Sequence, residues 1–161
     1  MKSSRAYPAL AGRLGQILVD VELVALRASH LLEKARQSGD DGYLDGVALN
    51  LHSFYAGIES CFEDIARTVD DALPSGGNWH QELMQQMAAE MRDLRPAVIS
   101  RETRDCLDEY RAFRHLVRNI YTFNLKPARL TELAANVEYC LRLVQEDLNG
   151  FIDFLNTVAA E

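Results

Sequence analysis

Between Tyr110 and Leu125 the chain reads YRAFRHLVRNIYTFNL, and within that run Arg111, Arg114, Arg118, His115, Asn119 and Tyr121 offer cations, an imidazole, an amide and a phenol. At roughly 100° per residue these six fall across one polar arc of a helix, while Phe113, Leu116, Val117 and Ile120 fill the opposite side. The spacing predicts an amphipathic helix with a cationic outer face. Such a concentration of positive charge, in a chain whose formal net charge is -7, points to an anion, with phosphate first among the candidates. The plainer alternative is a solvated charged face, because Asp105, Asp108 and Glu109 are close enough to form surface ion pairs with these arginines.

The elements that must position this face are helical throughout, since apolar residues recur at helical spacing and no run alternates with the period of a half-buried strand. A first helix is expected over residues 9–37, ending at the breaker cluster Ser38-Gly39-Asp40-Asp41-Gly42. A second is expected over 43–71, with Tyr43, Phe54, Tyr55 and Phe62 as core. The loop Leu73-Pro74-Ser75-Gly76-Gly77-Asn78 follows, and Asn78 can cap a short third helix over 79–93 that stops before Pro96. Ser100 offers a hydroxyl to cap the motif helix, which closes at Asn124 to Pro127. A last helix over 127–157 starts with proline in its first turn. The expected fold is therefore all-α: an up-and-down antiparallel helical bundle of four main helices plus a short insert helix, forming one domain over 1–161.

Composition narrows the function classes. With 48% hydrophobic and 25% charged residues the chain is an ordinary globular one, and its acidic balance argues against indiscriminate binding to nucleic acid. Cys61, Cys106 and Cys140 are odd in number and widely spaced, which reads as buried thiols of a cytosolic protein rather than a disulfide framework or a zinc site. No cofactor is suggested. The apolar stretch 9–26 contains Arg13, Asp20 and Glu22, so it suits an amphipathic helix and not a membrane span. Trp79-His80-x-Glu82 lacks a third metal ligand at recognisable spacing and reads as a packed tryptophan and a helix-start histidine. His30 and His52, among apolar neighbours, read as partly buried, and Gly76-Gly77 as a turn.

Arg114, Asn119 and Tyr121 also resemble the R-x-x-x-x-H-x-Y motif of HEPN-domain toxins of the HepT type, with Asn119 at the motif histidine position. The blocks FYAGIESCFEDIA at 54–66, LPSGGNWHQELM at 73–84, RPAVIS at 95–100 and LDEYRAFRHLVRNIY at 107–121 are similar to the same HepT-like family. The resemblance implies a helical homodimer acting as a metal-independent endoribonuclease toxin, held inactive by an antitoxin with a minimal nucleotidyltransferase fold that transfers AMP to the motif tyrosine, here Tyr121. It implies Arg114, Asn119 and His115 as the catalytic positions and Arg111, Arg118 and Tyr121 as RNA contacts. Such cleavage needs a proton acceptor for the 2′-hydroxyl, a proton donor for the 5′-oxygen and a cation for the developing charge. Asparagine moves no proton, so activity is expected to be impaired, and three readings stay open: a natural site that has abandoned cleavage, a deliberate His-to-Asn substitution, or a site that uses His115. A different class of function is an inactive HEPN homodimer that binds RNA, nucleotide or the nucleotidyltransferase without cutting.

Overall fold

Leu10, Leu14, Leu18, Val21, Ala25, Ala28 and Leu32 recur every three or four residues and form the buried stripe of α1 (Ala6–Ser38). The computed structural model describes residues 5–119 and 126–161, with side chains through His115 in the helix that ends the first stretch. Helix α1 stops where Gly39 adopts φ 70°, a left-handed cap whose N–H donates to the Ala35 carbonyl at 2.9 Å. Helix α2 (Tyr43–Ile65) buries Val47, Leu51, Phe54, Tyr55, Ile58 and Phe62 and runs antiparallel to α1. That direction is read from three contacts: Arg13 bonds Asp64, Gly57 lies beneath Val21, and Gly46 lies beneath Leu31. Close approach is what requires glycine at 57, where a Cβ would stand 2.7 Å from Val21 Cγ2.

The second helix does not continue regularly to residue 71. Ala66–Asp70 is wound as a π-helical turn ending at Asp71, whose φ is 53°. Helix α3 (Trp79–Ala88) is shorter than the expected 79–93, and the Asn78 side chain makes no capping hydrogen bond. The reason for the early stop is Arg95. Its guanidinium reaches back to the carbonyls of Gln86 at 3.1 Å and Ala89 at 2.9 Å, which a longer helix would have bonded internally. A tight turn with Asp93 at φ 63° and a Met91–Arg95 bridge completes the strap between α3 and the motif helix.

Helix α4 (Arg101–Asn119) begins as expected: Ser100 Oγ accepts the Thr103 N–H at 3.1 Å, while Asp147 takes the Ser100 N–H at 2.9 Å and the Thr103 hydroxyl at 2.6 Å. Helix α5 (Pro127–Ala160) lies antiparallel to α4, since Thr103 meets Asp147 whereas Tyr110 donates to the Leu133 carbonyl at 2.7 Å. The result is an all-α bundle of four long helices with α3 as the short insert, and no named strand occurs among the described residues. Its core runs through all five helices.

Three side chains depart from the expected burial. Tyr43 is 37% exposed because it opens α2 before the α1 contact begins, His30 is exposed, and Cys106 is only half-buried. Cys61 and Cys140 are buried; burial, aided by Asp64, pushes the Cys61 thiol up to about 12, leaving it inert. No helix among the described residues is long and apolar enough to cross a membrane.

Candidate functional site

Three helices converge on one carboxylate. Glu59 stands on the buried stripe of α2, one turn after Tyr55, and its side chain is only 3% exposed. An acid in that position needs partners, and two arrive from elsewhere in the chain. Arg114 of α4 donates from Nη1 to Glu59 Oε1 at 2.7 Å, and His80, in the first turn of α3, places Nδ1 at 2.6 Å from Oε2. The arginine and imidazole nitrogens are themselves 3.2 Å apart. The indole of Trp79 lies 3.6 Å from the imidazole, centroid to centroid, and helps fix the ring.

The protonation pattern follows from this geometry. A carboxylate oxygen at 2.6 Å assigns the proton of neutral His80 to Nδ1, so the 3.2 Å contact is two donors sharing one acceptor group. Nε2 is then the lone-pair nitrogen, on a side chain that is 25% exposed. Two further polar atoms around Glu59 are buried with no hydrogen-bond partner among the described residues: Tyr55 Oη and Arg114 Nε. Burial first, and the Glu59 charge second, hold the Tyr55 phenol well above its ordinary range, so it keeps its proton.

The strap positions the cluster from behind. Val98 N–H bonds the Met87 carbonyl at 2.8 Å and ties the end of α3 to the approach of α4. Arg95 and Asp70, both fully buried, pair at 2.5 and 2.8 Å, and Gln86 adds a bond to Asp70 at 2.7 Å. The start of α3 is thereby brought to Arg114. Beside the cluster, Gln81, Met84 and Gln85 of α3 face Arg104, Asp105 and Asp108 of α4 across a groove. Its carboxylates make that groove a poor seat for a phosphate backbone.

The residues singled out in the sequence are distributed unevenly over this arrangement. Arg114 turns inward to α2, 17% exposed, and so leaves the cationic outer face expected of the motif helix. Arg111 pairs with Asp108 at 2.7 Å, so part of the arginine stripe is the surface ion pairing that the neighbouring acids allowed. His115 is exposed on α4. Arg118 and Asn119 belong to the last described turn of α4, beyond its described side chains, and Tyr121 lies outside the described residues.

Glu59 was not singled out by spacing, and His80 read only as a helix-start histidine, because 21 residues separate them and 34 separate His80 from Arg114. A signal existed nonetheless: an acid set into an apolar helical stripe, and a tryptophan–histidine pair opening a helix, each inside one of the similar blocks. No group of three or more metal-ligand residues occurs among the described residues.

No curated protein and no solved structure gives a significant match to the chain. Residues 46–155, a span that holds Glu59, His80 and Arg114 together with the helices that carry them, match the family described as HepT-like protein, and the chain belongs to that family.

Proposed function

We propose that this chain is the toxin component of a HEPN/nucleotidyltransferase toxin–antitoxin pair: a homodimeric, metal-independent endoribonuclease. In this reading Arg114 stabilises the charge developing on the scissile phosphate, Arg111 and Arg118 guide the RNA backbone, and Asn119 and His115 stand at the remaining catalytic positions. The antitoxin silences the site by adding AMP to Tyr121, which puts bulk and negative charge where a phosphate would lie. Because an amide moves no proton, cleavage is weaker than in an Asn119→His variant. The observation that carries the reading is the anchoring of Arg114. A solvated surface arginine would wander over many rotamers, whereas this one is held by a buried carboxylate at 2.7 Å beside an imidazole at 3.2 Å.

The test is RNA cleavage in the presence of a chelator, by the chain as it stands and by Asn119→His. Faster cleavage by Asn119→His, lost on Arg114→Ala, is the expected result. Intact RNA from both would reject the ribonuclease. The Asn119 amide itself favours a second reading, an inactive HEPN homodimer that binds RNA, nucleotide or the nucleotidyltransferase. That reading expects salt-sensitive RNA or partner binding that disappears with Arg114→Ala, without cleavage by any variant.

A further inference from the structure

We infer that His80, oriented by Glu59, is the proton-transfer residue of this site, supplying from α3 what Asn119 cannot supply from the motif. The inference rests on the ribonuclease reading above and adds to it a residue outside the R-x4-N-x-Y run.

A proton acceptor for the 2′-hydroxyl must be a lone-pair nitrogen or oxygen that a substrate can reach, close to the cation that stabilises the phosphate. Among the described groups that meet at Arg114, Glu59 has both oxygens committed, Oε1 to Arg114 and Oε2 to His80, and is 3% exposed. Tyr55 is buried and holds its proton. Arg111 is a permanent cation paired with Asp108 and accepts nothing. Of these, His80 combines a fixed ring, a tautomer assigned by a 2.6 Å bond through Nδ1, and, in the neutral ring, an Nε2 lone pair on a partly exposed side chain. A carboxylate holding one imidazole nitrogen so that the other serves as base is a recurring arrangement in nucleophilic and acid–base catalysis.

The step balances without a co-reactant other than water. The 2′-oxygen attacks phosphorus, forming the P–O2′ bond as its proton passes to His80 Nε2. The P–O5′ bond breaks, the electron pair leaves on the 5′-oxygen, and a solvent water protonates it. The hydroxide so formed takes the proton back from the imidazolium. The products are a 2′,3′-cyclic phosphate and a 5′-hydroxyl, and the Arg114 guanidinium faces the charge that builds on phosphorus. Glu59 is a positioning residue: it touches His80 and Arg114, not the RNA.

The experiment compares cleavage of a single-stranded RNA, under chelator, by the full chain, His80→Ala, His80→Gln, Glu59→Gln and Asn119→His, with RNA binding and helicity measured alongside. Both His80 variants are expected to bind RNA as before and to cleave about 10²- to 10⁴-fold more slowly. Added imidazole should restore part of the rate to His80→Ala, which a purely structural role would not allow, and Glu59→Gln should be slowed too. If the native chain cleaves and the His80 variants match it, or if their loss is not rescued by imidazole and Glu59→Gln is unaffected, the inference is overturned and the ribonuclease reading stands. If the native chain is silent while Asn119→His cleaves, His80 is insufficient and the inference again fails alone. Silence from both removes the inference together with the reading beneath it.

Discussion

Replacing Asp70 by alanine offers the sharpest test of how the cluster is held. The side chains of Arg95 and Asp70 are both 0% exposed, joined by Nε–H to Oδ1 at 2.5 Å and Nη2–H to Oδ2 at 2.8 Å. Alanine removes both bonds and the Gln86 contact at 2.7 Å, and leaves a guanidinium that cannot lose its charge inside the protein. Breaking a buried pair in this way costs about 3–5 kcal/mol. Three acceptors survive around Arg95, the carbonyls of Gln86, Ala89 and Pro96, so the lower part of that range, about 3–4 kcal/mol, is expected. For a chain of this size that corresponds to a fall in melting temperature of roughly 6–16 °C. Circular dichroism at the helical band during heating, with urea unfolding for the free energy, measures both. Replacing the two partners together, Asp70→Leu with Arg95→Met, removes the stranded charge and should recover most of the loss. A single Asp70→Ala variant within about 1 kcal/mol of the parent would refute the argument, because it would mean that the carbonyl shell alone satisfies Arg95.

Other substitutions probe the frame. Ser100→Ala removes the acceptor for the Thr103 N–H and should lower stability by about 1 kcal/mol, read as a lower urea midpoint at unchanged slope; an unchanged midpoint would show that Asp147 alone caps α4. Gly57→Ala places a methyl 2.7 Å from Val21 Cγ2, a clash worth about 1–3 kcal/mol against a helix-propensity gain of about 1. It should be neutral to destabilising alone and stabilising in a Val21→Ala background, and equal effects in both backgrounds would reject the close contact. Arg13 holds the Asp64 carboxyl below its usual range through bonds of 2.7 and 2.9 Å. A carboxylate depressed in the folded state stabilises above its unfolded value of about 3.9, and the contribution disappears as pH falls through the lowered one. With Arg13 half exposed, Asp64→Asn should cost no more than about 1 kcal/mol at pH 7 and nothing once the parent's carboxyl is protonated, as judged by urea titrations across that range; a difference that persists in acid would point to packing instead.

Helix positions were legible in the sequence because each is written locally: apolar residues at helical spacing for α1, α2 and α5, a serine cap for α4, breakers between α1 and α2. The length of α3 was not, because a side chain seven residues beyond its end, Arg95, competes for its carbonyls, and that competition exists only when Asp70 is folded against it. The π-helical turn after α2 had no local signal either. The exposure of His30 and Tyr43 was not legible either, since apolar neighbours along the chain do not say which arc of a helix meets its partner.

The site divides in the same way. The sequence alone determined that Arg114 belongs to a cationic helical run, that Asn119 cannot transfer a proton, and that the acids beside the arginines can pair with them. Tertiary structure decided that Arg114 turns inward while Arg111 stays at the surface with Asp108. It also decided that Glu59 and His80, from two other helices, meet that arginine within 2.7 and 3.2 Å. Helical periodicity reports which face a residue occupies, but only packing selects which residue of a distant helix stands opposite, and a buried carboxylate recruits whichever cation and imidazole the fold brings within reach.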